Sequence, residues 1–339
     1  MDWTAWHVSV QGGAHRDKAI PCEDASLVFT GDGWVMAAVA DGHGSMKHFR
    51  SGIGADMACQ AARDTLLALG PDESPQALAQ EILARWRDMV QHHLADNPWT
   101  EEELAVQRTL LDSQAYLSLT GGQSAAVAYG TTLVCAAVTS TGWTALQIGD
   151  GGLALLDAGG SWSWPMPDCD WCQGNLTASL CMADAASAFR YAGGSELPVA
   201  LVLYSDGVEK AFLPRSLQLG RFLHEAVSAR EPSMLEALAA DTAECSSVRD
   251  DVSLALLCHE TGEPLPPLRE SDMQRSLRTQ RTLAAIRECE GAIAYLRMVQ
   301  EQCSPEDEAS VADKLRAREE TLRQLTDTLG MLQQEDDAP

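Results

Sequence analysis

Short apolar runs recur through the first 258 residues, and glycine, proline or aspartate bounds most of them. Their length and boundaries predict β-strands rather than helices. The stretch 35–40 is apolar at every position, which is typical of a buried strand. The strands are expected at 6–10, 25–29, 35–40, 130–138, 143–148, 153–156, 199–204 and 252–257.

Helical periodicity, with apolar residues three or four positions apart, fills the segment between the third and fourth strands. We expect helices over 53–69, from Pro75 to the Asn97-Pro98 break, and over 101–119, because proline stops a helix. Two further periodic runs, 277–299 and 311–332, follow the last strand. Their leucine-rich faces predict an antiparallel helical hairpin of the coiled-coil kind.

A proline-rich stretch, 262–267, separates these two parts of the chain. Proline interrupts strands and helices, so this stretch is expected to be an extended linker. We therefore expect a large domain over 1–260, a linker over 261–270 and the hairpin over 271–336. The hairpin has two interpretations: an appendage packed on the large domain, or a module that binds a protein partner or associates with itself.

Acidic residues mark the ends of the predicted strands. Asp41, Asp150 and Asp206 each follow an apolar run and precede a glycine, Asp250 precedes the last strand, and Glu23-Asp24 precedes the second. Strands ending in this way would gather their carboxylates at one edge of a β-sandwich, where like charges repel unless a cation lies among them. Oxygen ligands of this kind favour Mg²⁺ or Mn²⁺.

The composition excludes several classes of partner. The net charge of −25 argues against nucleic acid and acidic membrane surfaces, because binding to both depends on lysine and arginine. The chain has no apolar run of the roughly 20 residues that span a bilayer and no signal peptide at its start, so we expect a cytoplasmic protein. The ten cysteines are scattered, several in apolar runs, and are interpreted as reduced thiols, including the pair Cys169 and Cys172.

Six short motifs follow one another along the chain: Glu23-Asp24-Ala25, Ala40-Asp41-Gly42-His43-Gly44, Gly130-Thr131-Thr132, Gly149-Asp150-Gly151, Ser205-Asp206-Gly207 and Asp250-Asp251-Val252-Ser253. In order and spacing they resemble the motifs of the metal-dependent protein serine/threonine phosphatases of type 2C. The resemblance covers roughly residues 6–258, and Gln173 to Thr177 also resembles a flap motif of bacterial members. The fold it implies is α+β: a four-layer αββα sandwich of two mainly antiparallel sheets flanked by helices, here with the C-terminal hairpin.

The resemblance implies hydrolysis of phosphoserine and phosphothreonine in a phosphorylated protein substrate by a water bridged between two Mg²⁺ or Mn²⁺ ions. Asp41 would bridge both ions, Asp150 would serve a weaker third ion, and Asp24 would order metal-bound water. His43 would protonate the leaving seryl or threonyl oxygen. The metal-site residues it implies are Glu23, Asp24, Asp41, the carbonyl of Gly42, Asp150, Asp206 and Asp250.

The chain departs from the family pattern at two positions. Ala19 stands where an arginine commonly grips the substrate phosphate, so this role would pass to Arg16, Lys18 or His15, or to the metals alone. Asp251 stands where many members have asparagine, a change expected to matter less because Asp250 keeps the ligand role. Two alternatives to the enzyme stay open: a catalytically silent relative that binds phosphoproteins, and a scaffold that acts through its hairpin.

Overall fold

The computed structural model describes residues 2–122, 124–169, 177–212, 216–229, 231–246, 248–260, 264–302 and 308–336. The chain forms two compact units, residues 1–268 and 269–339. The first unit contains two antiparallel five-stranded sheets with helices packed on them, so the predicted α+β sandwich is confirmed. Residues 264–269 have no regular secondary structure, whereas 261–263 of the predicted linker lie outside the described residues.

The first unit begins with strands, continues through a block of helices, returns to strands, and has a second block of helices before its last strand. One sheet has the order β1-β10-β9-β6-β7 and the other β2-β3-β4-β5-β8. The elements are β1 (Trp3–Val10), α1 (Gly13–Asp17), β2 (Asp24–Thr30), β3 (Trp34–Asp41), α2 (Ser51–Leu69), α3 (Pro75–Asp96), α4 (Glu101–Leu110), α5 (Ser113–Thr120), α6 (Ala125–Ala128), β4 (Leu133–Thr139), β5 (Trp143–Ile148), β6 (Gly152–Leu156), β7 (Trp162–Ser163), α7 (Ala185–Ala188), β8 (Arg190–Gly194), β9 (Ala200–Tyr204), α8 (Asp206–Ala211), α9 (Leu217–Ala229), α10 (Pro232–Cys245) and β10 (Val252–His259).

Strand β3 accounts for the uninterrupted apolar run in the sequence. Met36 and Ala38 belong to the core shared with α2 and α3, whereas Val35 and Ala37 belong to the core between the two sheets. Because both faces are covered, the strand lacks the polar alternation of a half-exposed strand. It leaves the core at Asp41, which is only partly buried.

The single helix predicted over 101–119 is wrong, because the structure has two helices there, α4 and α5. The break falls at Asp112, whose carboxylate accepts the backbone N–H groups of Gln114 and Ala115 at 2.9 and 2.8 Å. An aspartate that satisfies the first N–H groups of a helix starts a new helix. The apolar periodicity continues across the break and hides it from the sequence pattern.

The interpretation of the cysteines as reduced thiols is wrong for Cys169, which is disulfide-bonded. Cys172 and Cys303 lie outside the described residues. The other cysteines in the described part of the chain form no disulfide, at positions 22, 59, 135, 181, 245, 258 and 289.

The second unit is the predicted helical hairpin, formed by α11 (Glu270–Gln302) and α12 (Glu308–Asp336). The two helices pack along each other, with Arg297 paired to Glu319 at 2.9 Å. The predicted turn and cap around Ser304 lie outside the described residues. Tyr295 and Met331 are 62% and 67% exposed, so the hairpin leaves apolar surface uncovered within its own unit. None of the described helices has the length and apolar character that a membrane-spanning segment requires.

Candidate active site

Most of the predicted site residues meet in one cleft of about 580 Å³. It is formed where β3, β5 and β9 end and where β10 begins. Two predicted residues, Glu23 and Asp24, do not line the cleft but lie beside residues that do: the Gly42 N–H donates to the Glu23 carbonyl oxygen at 3.1 Å, and Asp24 is paired with Asp41. From the predicted set, the cleft is lined by His15, Asp41, Gly42, His43, Asp150, Asp206 and Asp250.

Asp24 and Asp41 lie directly opposite each other. Asp24 opens β2, Asp41 closes β3, and the antiparallel register pairs them. Burial raises the pKa of Asp41 well above its usual range, and the charges of Asp24, Asp206 and Asp150 raise it further. Burial also raises the pKa of Asp24, although a hydrogen bond from Ser205 opposes the shift. Carboxylates held this close repel one another, and a bound cation would relieve the repulsion.

Only one of the two carboxylate oxygens of Glu23 has a hydrogen-bond partner. The hydroxyl of Ser51, at the start of α2, donates to its Oε1 at 2.7 Å. Its Oε2 is buried without a hydrogen-bond partner, and the nearest basic nitrogen, Nε2 of His15, is 3.8 Å away. Burial raises the pKa of Glu23. A Cβ on Gly42 would lie 2.6 Å from the Glu23 carbonyl oxygen, so only glycine allows this close approach.

The remaining three aspartates come from separate segments. Asp150 follows β5, Asp206 opens α8 and Asp250 precedes β10. Burial and the charge of Asp206 raise the pKa of Asp150, whereas a hydrogen bond from Thr177 lowers it. Thr177 is the only residue of the predicted flap motif within the described part of the chain.

Lys210 lies one helical turn after Asp206 and contacts two of these aspartates. Its Nζ is 2.7 Å from Oδ2 of Asp206 and 2.5 Å from Oδ2 of Asp250. Burial lowers the pKa of Lys210, but the charges and hydrogen bonds of the two carboxylates outweigh this effect and raise the pKa overall. One part of the acidic cluster is therefore neutralised by the protein itself.

His43 is positioned by a backbone hydrogen bond and by a second histidine. Its backbone N–H donates to the Gly130 carbonyl oxygen at 3.2 Å, and its ring packs edge-on against the ring of His48, with 4.8 Å between the ring centroids. The ring of His48 is fixed in turn by a hydrogen bond to the Val127 carbonyl oxygen. Burial lowers the pKa of His43 to about 4, with His48 and Lys47 adding to the shift. The imidazole is therefore neutral near neutral pH in the free protein.

The structure brings only one of the three candidate phosphate-binding residues into the cleft. His15 lines it, whereas Arg16 forms an ion pair with Glu244, and Lys18 is exposed and does not line it. In the described part of the chain, no arginine lines the cleft.

Two lysines that line the cleft, Lys47 and Lys210, escaped the sequence analysis. Lys210 carried a usable signal, because it stands four residues after Asp206 and this spacing places two side chains on one face of a helix. This spacing could have been used only if Asp206 had been predicted to begin a helix rather than a turn. Lys47 lies in a segment without apolar periodicity and carried no comparable signal.

Asp251 has a structural role that the sequence analysis did not foresee. Its Oδ1 accepts the N–H of Gly12 at 2.6 Å, and its Oδ2 accepts the N–H of Glu23 at 2.7 Å. Nδ1 of His15 donates to Oδ2 at 2.9 Å. This one buried carboxylate therefore holds the segment from Gly12 to Glu23, which includes α1, against the start of β10.

Asp251→Ala is expected to destabilise the metal-free protein by about 3 kcal/mol or more, because each buried donor left unpaired costs about 1–3 kcal/mol. Urea unfolding followed by circular dichroism measures the loss. Asp241→Ala, at an exposed aspartate of α10, is the matched control and should change stability little. Equal stability of the two variants would contradict the fastening role of Asp251.

The cluster has the donor chemistry of a site for hard divalent cations. Its ligating atoms are all oxygens, and Oε2 of Glu23 and Oδ2 of Asp24 are buried without hydrogen-bond partners. Among the described residues, no three acidic, histidine or cysteine side chains are gathered closely enough to form a ready-made metal cage. The ligand atoms are therefore of the type that Mn²⁺ and Mg²⁺ prefer, but the side chains would have to move closer together to coordinate an ion.

Comparison with known proteins agrees with the geometry. A family model described as Protein phosphatase 2C matches residues 11–240. The solved structure of PppA, a key regulatory component of T6SS in Pseudomonas aeruginosa, has a TM-score of 0.51 at 18% identity, covering 76% of this chain and 98% of that one. A bacterial serine phosphatase gives 0.52 at 16% identity, covering 77% and 99%. No curated protein sequence matches this chain.

Proposed function

This chain belongs to the protein phosphatase 2C family, and on that premise we propose that it hydrolyses phosphoserine and phosphothreonine in proteins in a metal-dependent reaction. The observation that carries the proposal is the convergence of Asp41, Asp150, Asp206 and Asp250 on one cleft, with Asp24 paired to Asp41. Such a concentration of acids disfavours a phosphorylated ligand unless cations are present to reverse the local charge.

The ligand assignment is the one that membership of the family implies. Asp41, which has the acidic neighbours Asp24, Asp206 and Asp150, is proposed as the carboxylate shared by two ions. When bound, two divalent ions supply an activated water and a positive clamp on the phosphoryl oxygens. The residues proposed to hold Mn²⁺ or Mg²⁺, including a more weakly held third ion, are Glu23, Asp24, Asp41, the Gly42 carbonyl, Asp150, Asp206 and Asp250.

His43 is proposed to give a proton to the leaving seryl or threonyl oxygen. It lines the same cleft as Asp41, and its ring is fixed by His48. Because the free imidazole is neutral near neutral pH, it must take up a proton as the substrate binds. The negative charge of a phosphate group beside the ring favours that uptake.

A second candidate function is phosphoprotein binding without turnover. The observation that favours it is the absence of an arginine among the described residues lining the cleft, together with Ala19 at the position where the family commonly has one. A lysine or histidine does not replace the paired donors of a guanidinium group.

Hydrolysis with and without metal separates the two functions. The substrates are p-nitrophenyl phosphate and matched peptides that carry phosphoserine, phosphothreonine or phosphotyrosine, each tested in EDTA and in excess Mn²⁺. Turnover only with Mn²⁺, on phosphoserine and phosphothreonine peptides, supports the enzyme. Peptide binding in Mn²⁺ without phosphate release supports the silent relative, and equal turnover in EDTA would refute the metal-dependent mechanism.

The hairpin is proposed to mediate association with another protein chain, a second copy being the case that purified protein can test. Its exposed apolar side chains, Tyr295, Met298 and Met331, support this. Surface of this kind, concentrated on one small unit, often marks an interaction site.

Truncation after Leu268 is expected to leave a soluble, monomeric fragment with Mn²⁺-dependent activity, because every proposed ligand lies before this point. Light scattering and hydrolysis assays on fragment 1–268 and on the full chain provide the measurement. Tyr295→Glu with Met298→Glu in the full chain is a second test, because it removes the exposed apolar surface without removing the hairpin, and it should also abolish association. An insoluble or inactive fragment would contradict the proposal.

A further inference from the structure

The ammonium group of Lys210 lies between two carboxylates that the proposed function assigns to a metal ion. Nζ is 2.7 Å from Oδ2 of Asp206 and 2.5 Å from Oδ2 of Asp250, so it is within hydrogen-bond distance of both carboxylates. The first contact is set by α8, where a spacing of four residues places both side chains on one face. The second brings in Asp250 from the segment before β10.

The ammonium group and a divalent ion compete for the same carboxylate oxygens. An ion bound to Asp206 and Asp250 would place positive charge within a few ångströms of Nζ, and the repulsion would drive the lysine away. The side chain is able to leave, because it is 38% exposed and its four-carbon stem is flexible. Asp24 and Asp41 form no ion pair with a described residue, so the lysine neutralises one part of the cluster only.

We propose that Lys210 is a built-in counter-ion that competes with the divalent metal for Asp206 and Asp250. This inference rests on the proposed function, because it takes these two aspartates as metal ligands. In the metal-free protein the lysine offsets their charge and stabilises the fold around the empty centre. Binding of the ion requires the lysine to move out into the cleft, so its presence lowers the metal affinity of this half of the centre.

Titration of the full-length protein with Mn²⁺ by isothermal calorimetry tests the competition. Lys210→Met keeps most of the length of the side chain and removes its charge, and we expect one Mn²⁺ site to bind about tenfold more tightly, the scale set by losing one charged contact. Lys210→Arg keeps the positive charge and should stay close to wild type. Lys47→Met removes a charge from the same cleft without removing a contact to either aspartate, so it measures any general effect of charge.

Thermal unfolding supplies a second measurement that does not depend on activity. In EDTA, Lys210→Met should melt at a lower temperature than wild type, because the two aspartates lose their counter-ion. In excess Mn²⁺ the difference should shrink or reverse. A lysine that serves only to support the fold would lower the melting temperature equally in both conditions.

The outcomes separate this inference from the proposed function. Measurable but equal Mn²⁺ affinities in wild type and Lys210→Met would overturn the competition and leave the metal centre intact. A tighter site in Lys47→Met, as large as that in Lys210→Met, would also overturn it. Absence of Mn²⁺ binding in every variant would refute the metal centre itself, and the competition with it.

Discussion

Asp41→Asn is expected to abolish Mn²⁺-dependent hydrolysis and, at the same time, to make the metal-free protein more stable. The loss of activity should be about 10³-fold or more, the upper scale seen when one charge-stabilising group is removed from an active site. The gain in stability has a separate origin. Asp41 lies among Asp24, Asp206 and Asp150, and an amide in its place does not repel these carboxylates.

The direction of the pH dependence follows from the pKa of Asp41. Because the folded-state pKa lies above the ordinary value of 3.8, the native state holds the proton more tightly than the unfolded state does. The stabilising effect of the protonated form is present at low pH and is lost as pH rises through the shifted range. The advantage of Asp41→Asn over wild type in EDTA should therefore grow as pH rises. Thermal unfolding between mild acid and neutral pH, with hydrolysis assays beside it, measures both effects.

Asp241→Asn is the matched control, since this exposed aspartate lies outside the cleft and should change neither activity nor its pH dependence. Near-normal Mn²⁺-dependent turnover in Asp41→Asn would refute the assigned metal centre. A metal-free variant less stable than wild type would show that the carboxylate has a structural use, and that the repulsion argument is wrong.

The sequence predicted the parts of the site that depend on local pattern. The apolar run before Asp41 and the glycine after it mark a buried strand that ends at a close backbone approach, and the structure has both. The same holds for Asp150 and Asp206, which follow β5 and β9. In each case the information lies within a few neighbouring residues, where periodicity and turn chemistry are reliable guides.

The sequence did not predict the contacts that join distant segments. Arg50, only 8% exposed, donates to both carboxylate oxygens of Glu103 at 2.7 and 2.8 Å across a separation of 53 residues. Asp251 accepts a hydrogen bond from the N–H of Gly12, which lies 239 residues earlier in the sequence. No periodicity links such pairs, because they depend on which helices, strands and loops become neighbours in the fold. For the same reason, the contact between Lys210 and Asp250 becomes visible only in the structure.

His43→Ala is expected to slow hydrolysis of an alkyl phosphate, such as a phosphoserine peptide, by about 10²-fold or more, the usual contribution of a positioned general acid. Hydrolysis of p-nitrophenyl phosphate should fall much less, because its aryl leaving group departs without protonation. The ratio of the two losses in kcat is the measurement. His48→Ala serves as the comparison, since it removes the ring that packs against His43 but leaves the imidazole of His43 in place. Equal losses on both substrates in His43→Ala would indicate a structural role.

The pH dependence of stability gives an independent test of the environment of His43. Its pKa falls from 6.5 to about 4 on folding, so between these values the unfolded state binds the proton and the native state does not. The stability due to the neutral imidazole is present above pH 6.5 and is lost as pH falls toward 4, by about 3 kcal/mol in total. His43→Ala lacks this titration, so the difference in unfolding free energy between wild type and variant should shrink as pH falls. A difference that stays constant with pH would show that burial does not hold the imidazole neutral between pH 4 and pH 6.5.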